Sequence, residues 1–135
     1  MKNRVAGIAV TLLTITGIIG IRTIFHPCEG AMPMVCNYST ESSFRILVLI
    51  FTLNALRVYA GDVKHSFIFD ITNIVAGVEI VYSCHVERCQ VLSMNCNTGT
   101  CPFLSVVTLL IAVISIVSIL ISIINERRLE NGNSE

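Results

Sequence analysis

All six cysteines of this 135-residue chain fall in or beside two short stretches, HPCEGAMPMVCNYSTESSF at 26–44 and ERCQVLSMNCNTGTCPF at 87–103. Each stretch holds a Cys, then Met-x-Cys-Asn, then a Thr a few residues before a Phe that opens an apolar run. Thiolate and thioether are soft ligands that select Cu(I) and similar ions, and imidazole can join them. His26, Cys28, Met34 and Cys36 of the first stretch, with His85, Cys89, Met94 and Cys96 at the second, therefore form a candidate copper set. Their spacing is not that of a zinc site. There is no Cys-x-x-Cys, and the intervals Cys28 to Cys36 and Cys89 to Cys96 exceed those of zinc knuckles.

The same thiols are disulfide candidates wherever the compartment is oxidising. One arrangement bridges Cys28 to Cys36 and Cys89 to Cys96, repeating the symmetry, and leaves Cys84 to pair with Cys101 across the base of the second loop. It is one of the fifteen connectivities that six cysteines allow. Each closure of so short a loop adds about 2–4 kcal/mol when the geometry is relaxed, and this reading outweighs metal binding. A third chemistry is redox. Cysteines in two outer loops, with Arg45 at the start of the second apolar run, are similar in layout to quinone-dependent thiol oxidases, in which a loop thiolate passes electrons to quinone. Against it stand the missing Cys-x-x-Cys and the nine residues between Cys36 and Arg45, so the likeness is one of layout alone.

A second group of chemistry-bearing residues lies inside apolar runs. Arg57 and Asp70 flank the central turn at matching depth, which predicts an ion pair, and Asp70, Asn73 and Gly77 share a helical face at i, i+3 and i+7. With Asn54 and Arg57 on the facing helix, Asp70 and Asn73 form a candidate intramembrane polar cluster. Glu79 falls on the opposite side, near the outer interface, where Arg22 and Arg45 are its candidate partners. Ionisable groups inside membranes often mark ion paths, but structural pairing is the stronger reading because both acids lie toward helix ends with basic residues at the same depth.

The elements that must position these groups are four apolar runs, 5–25, 44–60, 67–83 and 103–125. Each is close to the roughly 20 residues a helix needs to cross the hydrocarbon core. Composition agrees, with 53% hydrophobic residues and 13% charged and a mean hydropathy of +0.76, well outside the soluble range. A net charge of +0 without any long basic run argues against nucleic acid as a partner. A cleaved leader is the competing reading of the first run, but its length and the absence of a small-residue cleavage pattern at Ile24-Phe25-His26 favour a span. In the fourth run Ser105, Thr108, Ala112, Ser115 and Ser122 form a small-residue stripe suited to close packing, opposite the bulky Val106, Leu110, Val113, Val117, Leu120 and Ile124.

With four spans, Lys2, Arg4, Arg57, Lys64, Arg127 and Arg128 share one side, against Arg22, Arg45 and Arg88 on the other. The positive-inside rule then puts both termini in the cytoplasm and the cysteine loops, 26–43 and 84–102, outside. The expected fold is thus an all-α membrane protein, one domain over 1–135, built as two tandem helical hairpins in parallel repeat.

In its basic-led first helix and in Cys28, Met34 and Cys36, then Cys89, Met94, Cys96 and Pro102, the chain resembles a family of small bacterial four-helix membrane proteins defined only as a domain of unknown function. Cys84 and Cys101 are additions to that pattern. The resemblance implies the four-helix fold and no established activity. No nucleotide, zinc-protease or serine-hydrolase motif is present. The expectation is a non-enzymatic protein of the inner or plasma membrane. It would need no cofactor on the disulfide reading, and copper or quinone on the alternative. Its partners would be the bilayer and another membrane or extracytoplasmic protein, or a second copy.

Overall fold

The computed structural model of the chain describes residues 2–25, 35–60, 66–86 and 96–132, with side chains within 4–25, 38–60, 67–86 and 98–127. These residues form α1 (Lys2–Thr23), α2 (Val35–Ala60), α3 (Ser66–Val86) and α4 (Cys101–Gly132), with a π-helical turn, Cys96–Thr100, running directly into α4. No strand occurs among the described residues. The four helices contain stretches long and apolar enough to cross a membrane: Arg4–Thr23, Tyr38–Ala60, Phe67–Val86 and Thr98–Arg127. Helices are what such sequences must form in hydrocarbon, where each backbone N–H and C=O has to find its partner within the segment. Hydroxyls obey the same constraint. Thr11, Thr16 and Thr52 donate to the carbonyls of Gly7, Leu12 and Val48, four residues back, at 2.7–3.0 Å.

The helix ends depart from the apolar runs. Residues 35–43, expected to be loop, are the first part of α2. Likewise α3 continues to Val86, and helical backbone resumes at Cys96. The apolar run marks where a helix meets lipid, whereas the helix itself extends through polar residues beyond it. Ser39, Thr40 and Ser43 are buried there, and Glu41 and Arg45 stand one turn apart at i, i+4. Both Met-x-Cys-Asn copies thus lead into a helical segment, since α2 starts at Val35 and the π turn at Cys96. At the end of α1, the carbonyl of Gly20 accepts from both Ile24 and Phe25 N–H at 3.0 and 2.9 Å, the second being the 6→1 bond that terminates many helices.

The helices close a ring in which α1 packs on α2, α2 on α3, α3 on α4, and α4 on α1. Neighbours run antiparallel. Gly7, early in α1, faces Val58 and Arg57, late in α2, whereas Gly20 at the far end of α1 faces Phe103 at the start of α4. Between them Gly17 touches both Leu47 and Val107, so α1 lies close against α2 and α4 along one glycine-bearing face.

The interior has three layers. Toward the end where α1 stops and α2 begins, Ile21, Leu47, Ile80, Cys84 and Leu104 cluster; Val10, Ile50, Val107 and Ile111 fill the middle. The third layer, where α1 begins and α4 ends, is polar. On α4, Thr108 and Ser115 are buried and Val106, Leu110, Val113, Val117, Leu120 and Ile124 are exposed. The small-residue stripe therefore turns inward, with Thr108 against Gly77 of α3, where a Cβ would lie 3.7 Å from it.

Candidate functional site

Three pairs of residues, each at i, i+3 on its own helix, build the polar layer: Asn54 and Arg57 on α2, Asp70 and Asn73 on α3, Ser115 and Ser118 on α4. Residues three apart share a helical face about 4.5 Å apart along the axis. In antiparallel neighbours the pairs consequently meet as two tiers. In the outer tier Arg57 grips Asp70 with both ends of its guanidinium, Nη1 to Oδ1 at 2.7 Å and Nη2 to Oδ2 at 3.2 Å. The hydroxyl of Ser118 accepts from Arg57 Nη2 at 3.2 Å and donates to Asp70 Oδ2 at 2.9 Å. In the inner tier Asn54 Nδ2 donates to Asn73 Oδ1 at 2.9 Å, and Asn73 Nδ2 donates back to Asn54 Oδ1 at 3.3 Å and to Ser115 Oγ at 3.4 Å.

Burial makes this network energetically heavy. Arg57 is 1% exposed and Asp70 2%, so each charge depends on the other. Gly7 of α1 supplies room for the arginine stem, since a Cβ there would lie 3.7 Å from Arg57 Cδ and 3.0 Å from Val58 Cγ2. Among the described residues, Arg57 Nε and Ser43 Oγ are buried without a hydrogen-bond partner. Chemically the layer is a closed clamp: its acid is neutralised by its base, and the apolar middle layer separates it from the far end of the bundle. Truncating the inner tier with Asn73→Ala should lower stability by about 0.6–1.7 kcal/mol, the range for interhelical hydrogen bonds in membranes. Unfolding in bicelles would measure it.

The structure brings together Asn54, Arg57, Asp70 and Asn73, all named by the sequence reading. Ser118 was missed. Its signal was available, because it stands three residues after Ser115 and repeats the i, i+3 spacing of the other two helices. The ion pairs at the opposite end differ from expectation. Arg22 and Arg45 both face Glu41, at 3.8 and 3.7 Å, rather than Glu79. Glu79 is exposed. The correction follows from the longer α2, which turns Glu41 from a loop residue into the i, i+4 neighbour of Arg45. Arg22 also stands 4.1 Å over the Phe44 ring. These exposed pairs contribute little individually.

Of the cysteines, Cys84 is buried and Cys101 half-buried. The Cys101 thiol donates to the Cys84 carbonyl at 3.6 Å, and no disulfide is formed among the described residues. His85 is exposed, its Nδ1 2.9 Å from the Val81 carbonyl. His26, Cys28, Met34, Cys89 and Met94 lie outside the described residues, as do the side chains of Cys36 and Cys96. Among the described residues no group of three His, Cys, Asp or Glu is placed to hold a metal. Nearby, Phe25 stacks on Phe103 with ring centroids 4.6 Å apart, and Thr100 Oγ1 donates to the Phe25 carbonyl at 3.4 Å, tying the π turn to the end of α1.

No curated protein and no solved structure is significantly similar to the chain. The model of one family does match, over residues 8–121, a stretch that takes in Gly17 and Gly20 of α1, the whole polar layer and both Met-x-Cys-Asn copies. The chain belongs to that family, Domain of unknown function (DUF4418).

Proposed function

We propose that this is a non-catalytic binding or accessory protein of the inner or plasma membrane. Its four helices form two tandem hairpins with both termini in the cytoplasm, and they hold two disulfide-stapled loops on the extracytoplasmic side as a surface for another membrane or extracytoplasmic protein, or for a second copy. The observation that carries this reading is the closure of the polar layer. Arg57, Asp70 and Ser118 hydrogen-bond one another, and the layer above them is Val10, Ile50, Val107 and Ile111. A transport path would want ionisable groups spaced across the midplane, so the buried charges here support an anchor. The basic residues favour this orientation, with Lys2, Arg4, Arg57, Lys64, Arg127 and Arg128 on the cytoplasmic side.

The nearness of Cys101 to Cys84 supports a staple at the base of the second loop. Replacing the loop cysteines, with Cys28→Ser and Cys89→Ser together, is expected to reduce association with the extracytoplasmic partner or second copy at least tenfold, read by in-membrane cross-linking. Unchanged association in that variant would overturn the proposal.

A second reading, in which the loops are redox-active or hold a soft metal such as copper, rests on the soft donors of the two loops, among them Cys28, Met34 and Cys36 with Cys89, Met94 and Cys96. Stoichiometric copper in purified protein, or quinone reduction driven by a dithiol protein, would favour it over the scaffold.

A further inference from the structure

Glu79 is exposed within the apolar span Phe67–Val86. Whereas Arg22 and Arg45 face Glu41, Glu79 has no hydrogen-bond or ion-pair partner among the described residues. The register that sets Arg57 beside Asp70 and Asn54 beside Asn73 puts it level with Val48 of α2, about 10 Å inward of Glu41 and about 14 Å from Asp70. Its own helix cannot satisfy it. Thr16 and Thr52, also exposed, donate to the carbonyl four residues back, but a carboxylate only accepts, and in mid-helix every backbone N–H is already bonded. Nor does the side chain reach the headgroups, since it has two methylenes where lysine and arginine, which snorkel, have four and three.

Val75, Val78 and Tyr82 surround it on the outer face of α3, at 64%, 64% and 62% exposure. The face is thus an apolar strip with one carboxylate in it, and a carboxylate in hydrocarbon calls for a cation. A second copy on the same face would set Glu79 against Glu79, because an isologous contact brings a residue on the axis against itself. The arginines nearest that depth, Arg22 and Arg45, are already held by Glu41. We infer that this face docks one transmembrane helix of another protein, with a lysine or arginine near its middle that pairs with Glu79. The inference rests on the accessory reading above, but it uses the bilayer side of α3 and not the loops.

Energy transfer in phosphatidylcholine vesicles between the labelled full chain and synthetic leucine–alanine peptides of about 23 residues, long enough to span, tests this. A peptide with one central lysine should bind about tenfold or more tightly than an all-apolar one, the gain of a strong interhelical polar contact. Glu79→Leu should remove that preference, and Glu79→Lys should transfer it to a peptide with a central glutamate. Cys28→Ser with Cys89→Ser should bind the lysine peptide as the unaltered protein does, so failure of the loop proposal leaves this one standing. Indifference of the unaltered protein to the lysine would overturn the inference, as would a preference that survives Glu79→Leu. So would a dimer of the chain that excludes the peptide and is lost in Glu79→Leu. A bundle destabilised by Glu79→Leu alone, read by unfolding in bicelles, would show the carboxylate paired within its own chain and overturn it too.

Discussion

Arg57→Leu, with Asp70 left in place, is expected to destabilise the bundle by about 3–5 kcal/mol, the loss that follows when a buried ion pair is broken from one side. The reason is local. Asp70 is 2% exposed and takes three of its hydrogen bonds from Arg57 and Ser118, so removal of the guanidinium leaves a carboxylate with one hydroxyl partner in a low-dielectric interior. Asp70→Leu should be as damaging, since it strands the arginine instead. The double variant, Arg57→Leu with Asp70→Leu, should recover most of the stability, because two buried charges replaced by apolar side chains of similar volume often leave a fold unharmed. Reversible unfolding of the four proteins in bicelles would give the coupling energy. A double variant as unstable as the worse single one would show that the charges are needed for something beyond pairing.

Gly20→Leu is the second large expected effect. A Cβ at Gly20 would overlap the Phe103 ring, which already stacks on Phe25 at 4.6 Å. The ring must move. Overpacking of this kind costs about 1–3 kcal/mol, and loss of the aromatic pair adds about 0.5–1.5 kcal/mol. Against these stands about 0.5–1 kcal/mol gained by removing a glycine from a helix, so the balance is a clear loss. Because the clash is with one ring, Phe103→Leu in the Gly20→Ala background should restore part of the stability that Gly20→Ala alone removes. Independent, additive losses in that pair would contradict the contact. The position matters for the loop end as well, since the Gly20 carbonyl accepts the closing bonds of α1 from Ile24 and Phe25, and Phe25 in turn receives Thr100.

What could be read from the sequence follows from which physical constraint was acting. The existence of four membrane-length helices was legible because hydrocarbon thickness demands a long apolar run, and Phe67–Val86 meets that demand even with Asp70, Asn73 and Glu79 inside it. The helix ends were not legible in the same way. Apolarity stops at the interface, but the helix goes on through Ser39, Thr40, Glu41 and Ser43, with the three hydroxyl residues buried and Glu41 facing Arg22 and Arg45. That hidden turn concealed Glu41 and sent the partner of Arg22 and Arg45 to Glu79. The clamp residues Asn54, Arg57, Asp70 and Asn73 stood out because such residues are conspicuous in apolar runs. Ser118 did not, since a serine in a membrane helix is ordinary until its depth and facing neighbours are known. The cysteines gave alternatives rather than an answer for a chemical reason: one set of thiols can oxidise to bridges, bind a soft metal or carry electrons, and spacing alone does not choose among them.

The loop chemistry is tested most directly by an intact-mass count of thiols. The detergent-purified protein, acid-quenched and denatured so that burial protects nothing, is alkylated with and without prior reduction. A disulfide-stapled scaffold predicts no alkylation before reduction and six added groups after it, one for each cysteine. Two or more groups added without reduction would contradict the staples and turn attention to copper or thiol redox chemistry in the loops.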